Sequence, residues 1–262
     1  MPFFSISERY INKALKNYEY KVKTRRKVTS TNSLMKLAAQ AGEQEFSVLI
    51  ASEQSAGRGR MGRSFHSPGG SGVYMSILLR PDENINPLLI TTAAAVCCAR
   101  VFERMAQQSA YIKWVNDIYM NDRKVCGILT ESSLGENGYA VLGIGINITM
   151  PKGGFPEEIR SRAGYLFGKK TPHIREKVII ELLREFMKTY SDIQNREYLT
   201  EYQKRSLVVG KEIVILENGR EEKALALAVN DDYSLKVQTE KGEILDLNSG
   251  DVSIAIEALS EP

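Results

Sequence analysis

The chain has 262 residues, 43 % of them hydrophobic, with 35 basic and 32 acidic side chains and a formal net charge of +3. That length supports one substantial core and a small second one, and the near balance of charge identifies no polyanionic partner by itself. No apolar run approaches the roughly 20 residues needed to span a bilayer.

Three cysteines, Cys97, Cys98 and Cys126, are an odd number, and neighbouring thiols seldom bridge. Buried thiols in a reducing compartment are the simplest reading. The N-terminal stretch has no apolar run of signal-peptide length, so a cytoplasmic protein is expected.

Residues 5–27 predict a short helix and a strand ending in the basic run "KVKTRRK", which reads as a solvated strand edge. "STNSLMKLAAQAG" predicts a helix: Ser30 and Thr31 offer caps, Leu34, Leu37 and Ala41 recur at helical spacing, and Gly42 stops it. "FSVLIAS" and "GVYMSILLRP" read as buried strands, the second ended by Pro81. "NPLLITTAAAVCCARVFERMAQQ" is a helix that takes two of the cysteines into the core. Extended runs follow in "AYIKWVNDIYMNDRKVCGILTES" and "NGYAVLGIGINI", separated by turn signals at Asn121-Asp122 and Asn137-Gly138. Residues 173–190 form an amphipathic helix with Ile174, Val178, Leu182, Phe186 and Tyr190 along one stripe. From Leu207 only short strands remain, joined by turn dipeptides, and they suit a small barrel. The boundary falls near 205, giving an α/β domain over 1–205 and a second domain over 206–262.

The glycine- and arginine-rich loop between the two buried strands, "SAGRGRMGRSFHSPGG", is not a Walker loop, since no Gly-Lys-Ser/Thr follows, and not a dinucleotide fingerprint, since a strand comes next. Three readings stay open on pattern alone: an anion-binding loop, a nucleic-acid clasp, and an exposed basic turn. "KWVNDIYMNDRKVCGILTE" favours the first, because Lys113, Asn116, Asp117 and Lys124 alternate with apolar residues and two adjacent strands would face them into one cleft. The plain alternative is that both lysines point to solvent.

Taken together, "STN" at 30–32, "GRGRMGRSFHSPGGSGVYMSILLRP" at 57–81, "KWVNDIY" at 113–119, "KVCGILTE" at 124–131, "GIGINI" at 143–148 and "SGDVSI" at 249–254 resemble the biotin protein ligases. The resemblance implies an α/β (α+β) mixed-sheet catalytic domain of the biotin/lipoate ligase and class II aminoacyl-tRNA synthetase-like fold, followed by a small SH3-like β-barrel. It implies activation of biotin by ATP with Mg²⁺ and transfer to a lysine of a biotin carboxyl carrier domain. It assigns Ser30, Thr31, Gln54, Gly57, Arg58, Arg60, Lys124 and Gly127 to biotin, and Arg58, Arg60, Phe65, Lys113, Asn116, Lys124 and Asn147 to ATP or the adenylate. Lys124, Arg60, Lys113 and Asp117 become the candidate catalytic group, with Asp117 as a Mg²⁺ ligand and the glycine- and arginine-rich loop as a lid.

The chemistry agrees with that assignment. A carboxylate is already nucleophilic at neutral pH, so an acyl-adenylate needs no general base; the difficulty is bringing two anions together, which arginine, lysine and Mg²⁺ address. Transfer to an amine then needs orientation and exclusion of water. Val115 stands where the family usually has proline, and Phe65 where many relatives have tryptophan. The stretch before "STN" is too short for the winged-helix domain of some relatives, so a ligase-only type without DNA binding is expected, as a monomer or homodimer with no membrane association. Trp114 is core or pocket wall, His66 belongs to the lid, His173 sits at a helix start, and Cys126 has no histidine partner that would make it a nucleophile. The rival functions are lipoate or octanoate attachment, which lacks its expected "SGGG"-like run here, and a non-enzymatic nucleic-acid-binding protein, which lacks exposed stacking aromatics in an acidic barrel segment.

Overall fold

The computed structural model describes residues 5–82, 86–133, 135, 138–217, 220–248 and 251–254. In chain order the elements are α1 (Glu8–Ala14), β1 (Lys21–Arg25), α2 (Thr31–Gln40), β2 (Ser47–Ala51), β3 (Gly72–Leu79), α3 (Pro87–Ala106), β4 (Tyr111–Lys113), β5 (Asp117–Met120), β6 (Arg123–Ser133) and β7 (Tyr139–Asn147). They continue as α4 (Glu157–Arg160), α5 (Ile174–Tyr190), α6 (Tyr198–Lys204), β8 (Glu212–Glu217), β9 (Arg220–Val229), β10 (Leu235–Thr239), β11 (Ile244–Leu247) and β12 (Asp251–Ile254).

β1 to β7 form one mixed sheet in the order β1-β2-β3-β7-β6-β5-β4, parallel only between β1 and β2. The period of two along a strand sorts its side chains between two layers. On β3, Val73, Met75, Ile77 and Leu79 enter the main core with α3 and α5, while Leu78 packs with Met35 and Ala39 of α2. On β7, Ala140, Leu142, Ile144 and Ile146 enter the main core; Tyr139 and Val141 meet α2, and from there the same face carries Gly143, Gly145 and Asn147. The α2 face is thus apolar under the helix and stripped to glycine beside it, and that strip is the floor of the site.

Ser30 caps α2, accepting from the Ser33 N–H, and the helix buries Met35 and Ala39 and leaves Leu34 and Leu37 exposed. The barrel is an expectation that needs correction. β8 to β12 form an antiparallel sheet in the order β11-β10-β9-β8-β12, and among the described residues no pairing joins β11 to β12. Closure requires both edges to pair. Here the edge strands have four residues each, and β11 has no alternating buried face, with Ile244 and Leu245 exposed. Of the last expected strand run, "VSIAIEAL", residues 255–259 lie outside the described residues, as do Ser249-Gly250 of "SGDVSI".

This sheet is not independent of the first. Ile213, Ile215, Ala224, Ala226, Leu235, Val237 and Val252 belong to the same contiguous core as α3 and β6. Cys97, Cys98 and Cys126 are free, buried thiols in that core. No helix among the described residues is long and apolar enough to cross a membrane.

Candidate active site

The glycine strip floors a cavity of about 220 Å³ between the 57–65 loop, the start of α2 and the β4-β5-β6 hairpins. Its lining includes Ser30, Thr31, Gln54, Arg58, Arg60, Phe65, Lys113, Asn116, Asp117, Lys124, Gly127 and Asn147. Every sequence-predicted site residue is therefore in the lining except Gly57. A Cβ at Gly57 would lie 2.4 Å from the Phe65 carbonyl and 2.5 Å from Ser67 Oγ, so this glycine lets the loop close on itself.

The position of Lys124 follows from a break in the strand pairing. Asp117 is opposite Gly127 and Ile118 opposite Cys126, but Tyr119 is opposite Lys124, so one strand carries an extra residue there. Bulges of this kind re-aim side chains. Val125 and Cys126 both enter the core, and Lys124 is turned onto the face that holds Gly127 and Asp117. Its Nζ lies 2.6 Å from Asp117 Oδ2 and 6.0 Å from the centre of the Phe65 ring. A lysine has three donors, so this pair leaves two for a ligand. Backbone bonds from Lys124 N to Arg162 O (2.7 Å) and Gly164 N to Lys124 O (2.8 Å) bring Arg162, Phe155 and Ile159 to the rim, none of which any motif announced.

Gly127 and Gly145 face each other across β6 and β7, and a Cβ at Gly145 would lie 2.5 Å from Phe65 Cε1. The absence of side chains lets the Phe65 ring rest on bare backbone. Asn116 is locked by donating to Ile128 O (2.6 Å) and accepting from Arg60 (3.2 Å). Asn147 donates to Gly164 O at 2.9 Å.

A second cluster starts α2. Gln54 Oε1 accepts from the Thr31 N–H at 2.8 Å and its hydroxyl at 3.1 Å, and Gln54 Nε2 donates to Ser67 Oγ at 3.0 Å. Beneath it, the buried Asn32 accepts from Ser76 Oγ (2.6 Å) and donates to Leu129 O (3.2 Å) and Glu131 Oε2 (3.1 Å). Glu131 Oε1 also pairs with Lys36 at 2.9 Å and Arg58 at 3.3 Å. Burial pushes the Glu131 carboxyl up, but bonds from Lys36 and Asn32, with the Lys36 and Arg58 charges, outweigh it and hold it below the usual range. Sequence reasoning missed this hub, although Asn32 stood within the quoted "STN".

The loop is a tight hairpin, with Gly59 N bonded to Arg63 O at 2.7 Å, Phe65 N to Gly57 O at 2.9 Å, and left-handed backbone at Met61 and Gly62. It carries Arg58, Arg60 and Arg63 to a cavity that also holds Lys113, Lys124 and Arg162 against the carboxylate of Asp117. Burial lowers the proton affinity of His66, which lines the cavity. Trp114 is buried and is not among the lining residues, which makes it core; the Trp114–Val115 peptide is cis.

For Mg²⁺ the donor set is sparse. No group of three His, Cys, Asp or Glu among the described residues could hold a metal ion, yet Asp117 Oδ1 is buried with no hydrogen-bond partner. Mg²⁺ ordinarily uses one or two protein carboxylates together with substrate phosphates, so these residues fit an ion delivered on a nucleotide.

The sequence profile of the biotin/lipoate A/B protein ligase family matches residues 24–147. The chain is 37 % identical over 169 residues to the bifunctional ligase/repressor BirA of Bacillus subtilis, a match covering 63 % of this chain and 52 % of that protein. It therefore spans about half the length of such bifunctional relatives. Over 235 residues it is 30 % identical to the biotin–[acetyl-CoA-carboxylase] ligase of Mycobacterium tuberculosis, covering 85 % of each. A solved structure, the biotin protein ligase of Aquifex aeolicus in complex with biotin and ATP, superposes with a TM-score of 0.76 at 25 % identity, over 91 % of this chain and 99 % of that one. Matched in sequence over 85 % of its length and in fold over 91 % of it, the chain belongs to the biotin protein ligases of the biotin/lipoate A/B protein ligase family.

Proposed function

We propose that this protein joins biotin to ATP as biotinyl-5′-AMP and then passes the biotinyl group to the ε-amine of a lysine on a carboxylase carrier domain. The observation that carries this reading is one cavity in which Arg60, Lys113 and Lys124 converge over bare glycine backbone, beside the polar cluster of Ser30, Thr31 and Gln54. Similarity to ligases described with biotin and ATP supports it.

In the first step the biotin carboxylate attacks the α-phosphorus and pyrophosphate leaves. The barrier is electrostatic, and preorganised cations lower it without a proton transfer. Lys124, held by Asp117 with two donors to spare, bridges carboxylate and α-phosphate; Arg60, steadied by Asn116, neutralises the phosphate oxygens. Ser30, Thr31, Gln54 and Gly127 hold the biotin rings, and Phe65, Lys113 and Asn147 hold the nucleotide. Asp117 Oδ1 is the oxygen offered to Mg²⁺, which supplies charge neutralisation on the phosphates.

In the second step the carrier amine attacks the acyl carbon, AMP leaves, and the nitrogen loses a proton. Water competes for the same anhydride, and the 57–65 hairpin, moving as a unit with its arginines, keeps it out. The division of labour proposed is catalysis by residues 1–205 and support by residues 206–262. The need for ATP and a carrier domain supports a cytoplasmic location.

The test is ATP–pyrophosphate exchange with biotin or octanoate as the acid. Exchange driven by biotin and not octanoate supports the reading; exchange driven by octanoate, or none with either, overturns it.

A further inference from the structure

The turn that carries Lys113, Asn116 and Asp117 is held from outside by groups that never touch the cavity. On one side Trp114 Nε1 donates to the carbonyl of Tyr233 at 2.8 Å. On the other the Tyr202 hydroxyl donates to the carbonyl of Val115 at 3.0 Å. Leading into the turn, Ile112 N bonds to Arg205 O at 2.8 Å and Leu207 N to Ile112 O at 2.9 Å, so β4 is fixed along its outer edge by the end of α6.

The two anchors are themselves fixed. Tyr202 and Tyr233 are 1 % and 0 % exposed, and their rings meet edge to face with centroids 5.8 Å apart. Tyr198 stacks on Tyr233 from another side at 5.9 Å. Tyr233 has φ of 67°, a left-handed conformation that a bulky residue adopts only where its surroundings over-determine it. The aromatic packing does this, and it aims the Tyr233 carbonyl at Trp114. Burial raises the Tyr202 phenol above its usual range, so it remains a neutral donor.

We infer that Tyr202 and Tyr233, from α6 and the β9–β10 turn, are positioning residues that set the phosphate-side cluster through Val115 and Trp114, and so couple the second sheet to nucleotide binding and not to biotin binding. The inference rests on the ligase reading for its kinetic form, but its structural form stands apart from it. Tyr202 contributes one hydroxyl to one carbonyl of the turn, and without it that carbonyl is left buried and unpaired.

The structure supplies a matched control. Tyr20 donates to Leu183 O at 3.0 Å, a buried bond that does not reach the turn. Tyr202→Phe and Tyr20→Phe therefore remove the same chemistry, with similar effects on Tm. Only Tyr202→Phe is expected to raise the KM for ATP, by about tenfold, with the Kd for biotin unchanged. It alone is expected to speed amide hydrogen exchange at residues 113–117. Equal KM for ATP and equal exchange in both variants would overturn the brace, as would a parallel loss of biotin affinity. If wild type makes no biotinyl-adenylate the ligase reading fails, and the exchange measurement still decides the brace.

Discussion

Gly143→Ala is expected to unfold the biotin end of the site from within. An added Cβ would lie 2.1 Å from Asn32 Oδ1, 2.7 Å from its Cγ and 2.9 Å from its Nδ2. Asn32 has nowhere to yield, because it is buried and tied to Ser76, Leu129 and Glu131. Losing three such bonds costs about 1 kcal/mol each, and overpacking adds at least about 1 kcal/mol, so the change removes about 4 kcal/mol. That is a large share of the roughly 5–15 kcal/mol that holds a typical domain folded. Urea unfolding of wild type, Gly143→Ala, Asn32→Ala and the double variant measures it. Truncating Asn32 already gives up the three bonds and makes the room the new methyl needs, so the methyl is expected to cost about 1 kcal/mol or less in that background, a coupling of about 3 kcal/mol. Additive effects would refute the steric reasoning, and a Gly143→Ala loss below about 1 kcal/mol would refute the rigidity ascribed to Asn32.

Other outcomes follow from the same geometry. Lys124→Ala is expected to lower kcat/KM for adenylate formation by at least about a hundredfold in pyrophosphate exchange, since it removes the cation between the two anions. Arg60→Ala should release free biotinyl-AMP and biotin faster than wild type, read by chromatography of a quenched reaction, because the loop then loses its tie to Asn116. The Glu131 carboxyl is held below its ordinary value, so the stabilisation it brings is complete above that value and is lost as pH falls through the lower folded one. Glu131→Gln should flatten the acid limb of a Tm-against-pH curve, which an unchanged limb would contradict. Burial pushes the Cys97 thiol up to about 12 and raises that of Cys98, so native protein should leave the cysteines unmodified by a thiol reagent that reacts with all three in denaturant.

The elements and the membership of the site were legible because periodicity and motif residues report local constraints. "KVCGILTE" could be read as a strand bearing Lys124 and Gly127, and both line the cavity. The register shift that puts residues of opposite parity on one face was not legible, since a bulge depends on the partner strand. The inner face of α2 was not legible for a related reason: Leu34 and Leu37 have helical spacing, but the sheet beneath selects Met35 and Ala39. Five short strands suggested a barrel, yet strand number does not determine whether the edges meet, and among the described residues β11 and β12 do not. Arg162 reaches the site through backbone bonds to Lys124, a long-range contact with no local signature. The tyrosine brace behind Trp114 is equally non-local, joining residues 119 positions apart in the chain.

Transfer of labelled biotin to an isolated carboxylase carrier domain, with ATP and Mg²⁺, tests the proposed function most directly when paired with a carrier whose acceptor lysine is replaced by arginine. Label on the native carrier, none on the variant, and none from Lys124→Ala enzyme is the expected result. No label on the native carrier, or equal label on both carriers, would contradict a ligase that delivers biotin to one lysine.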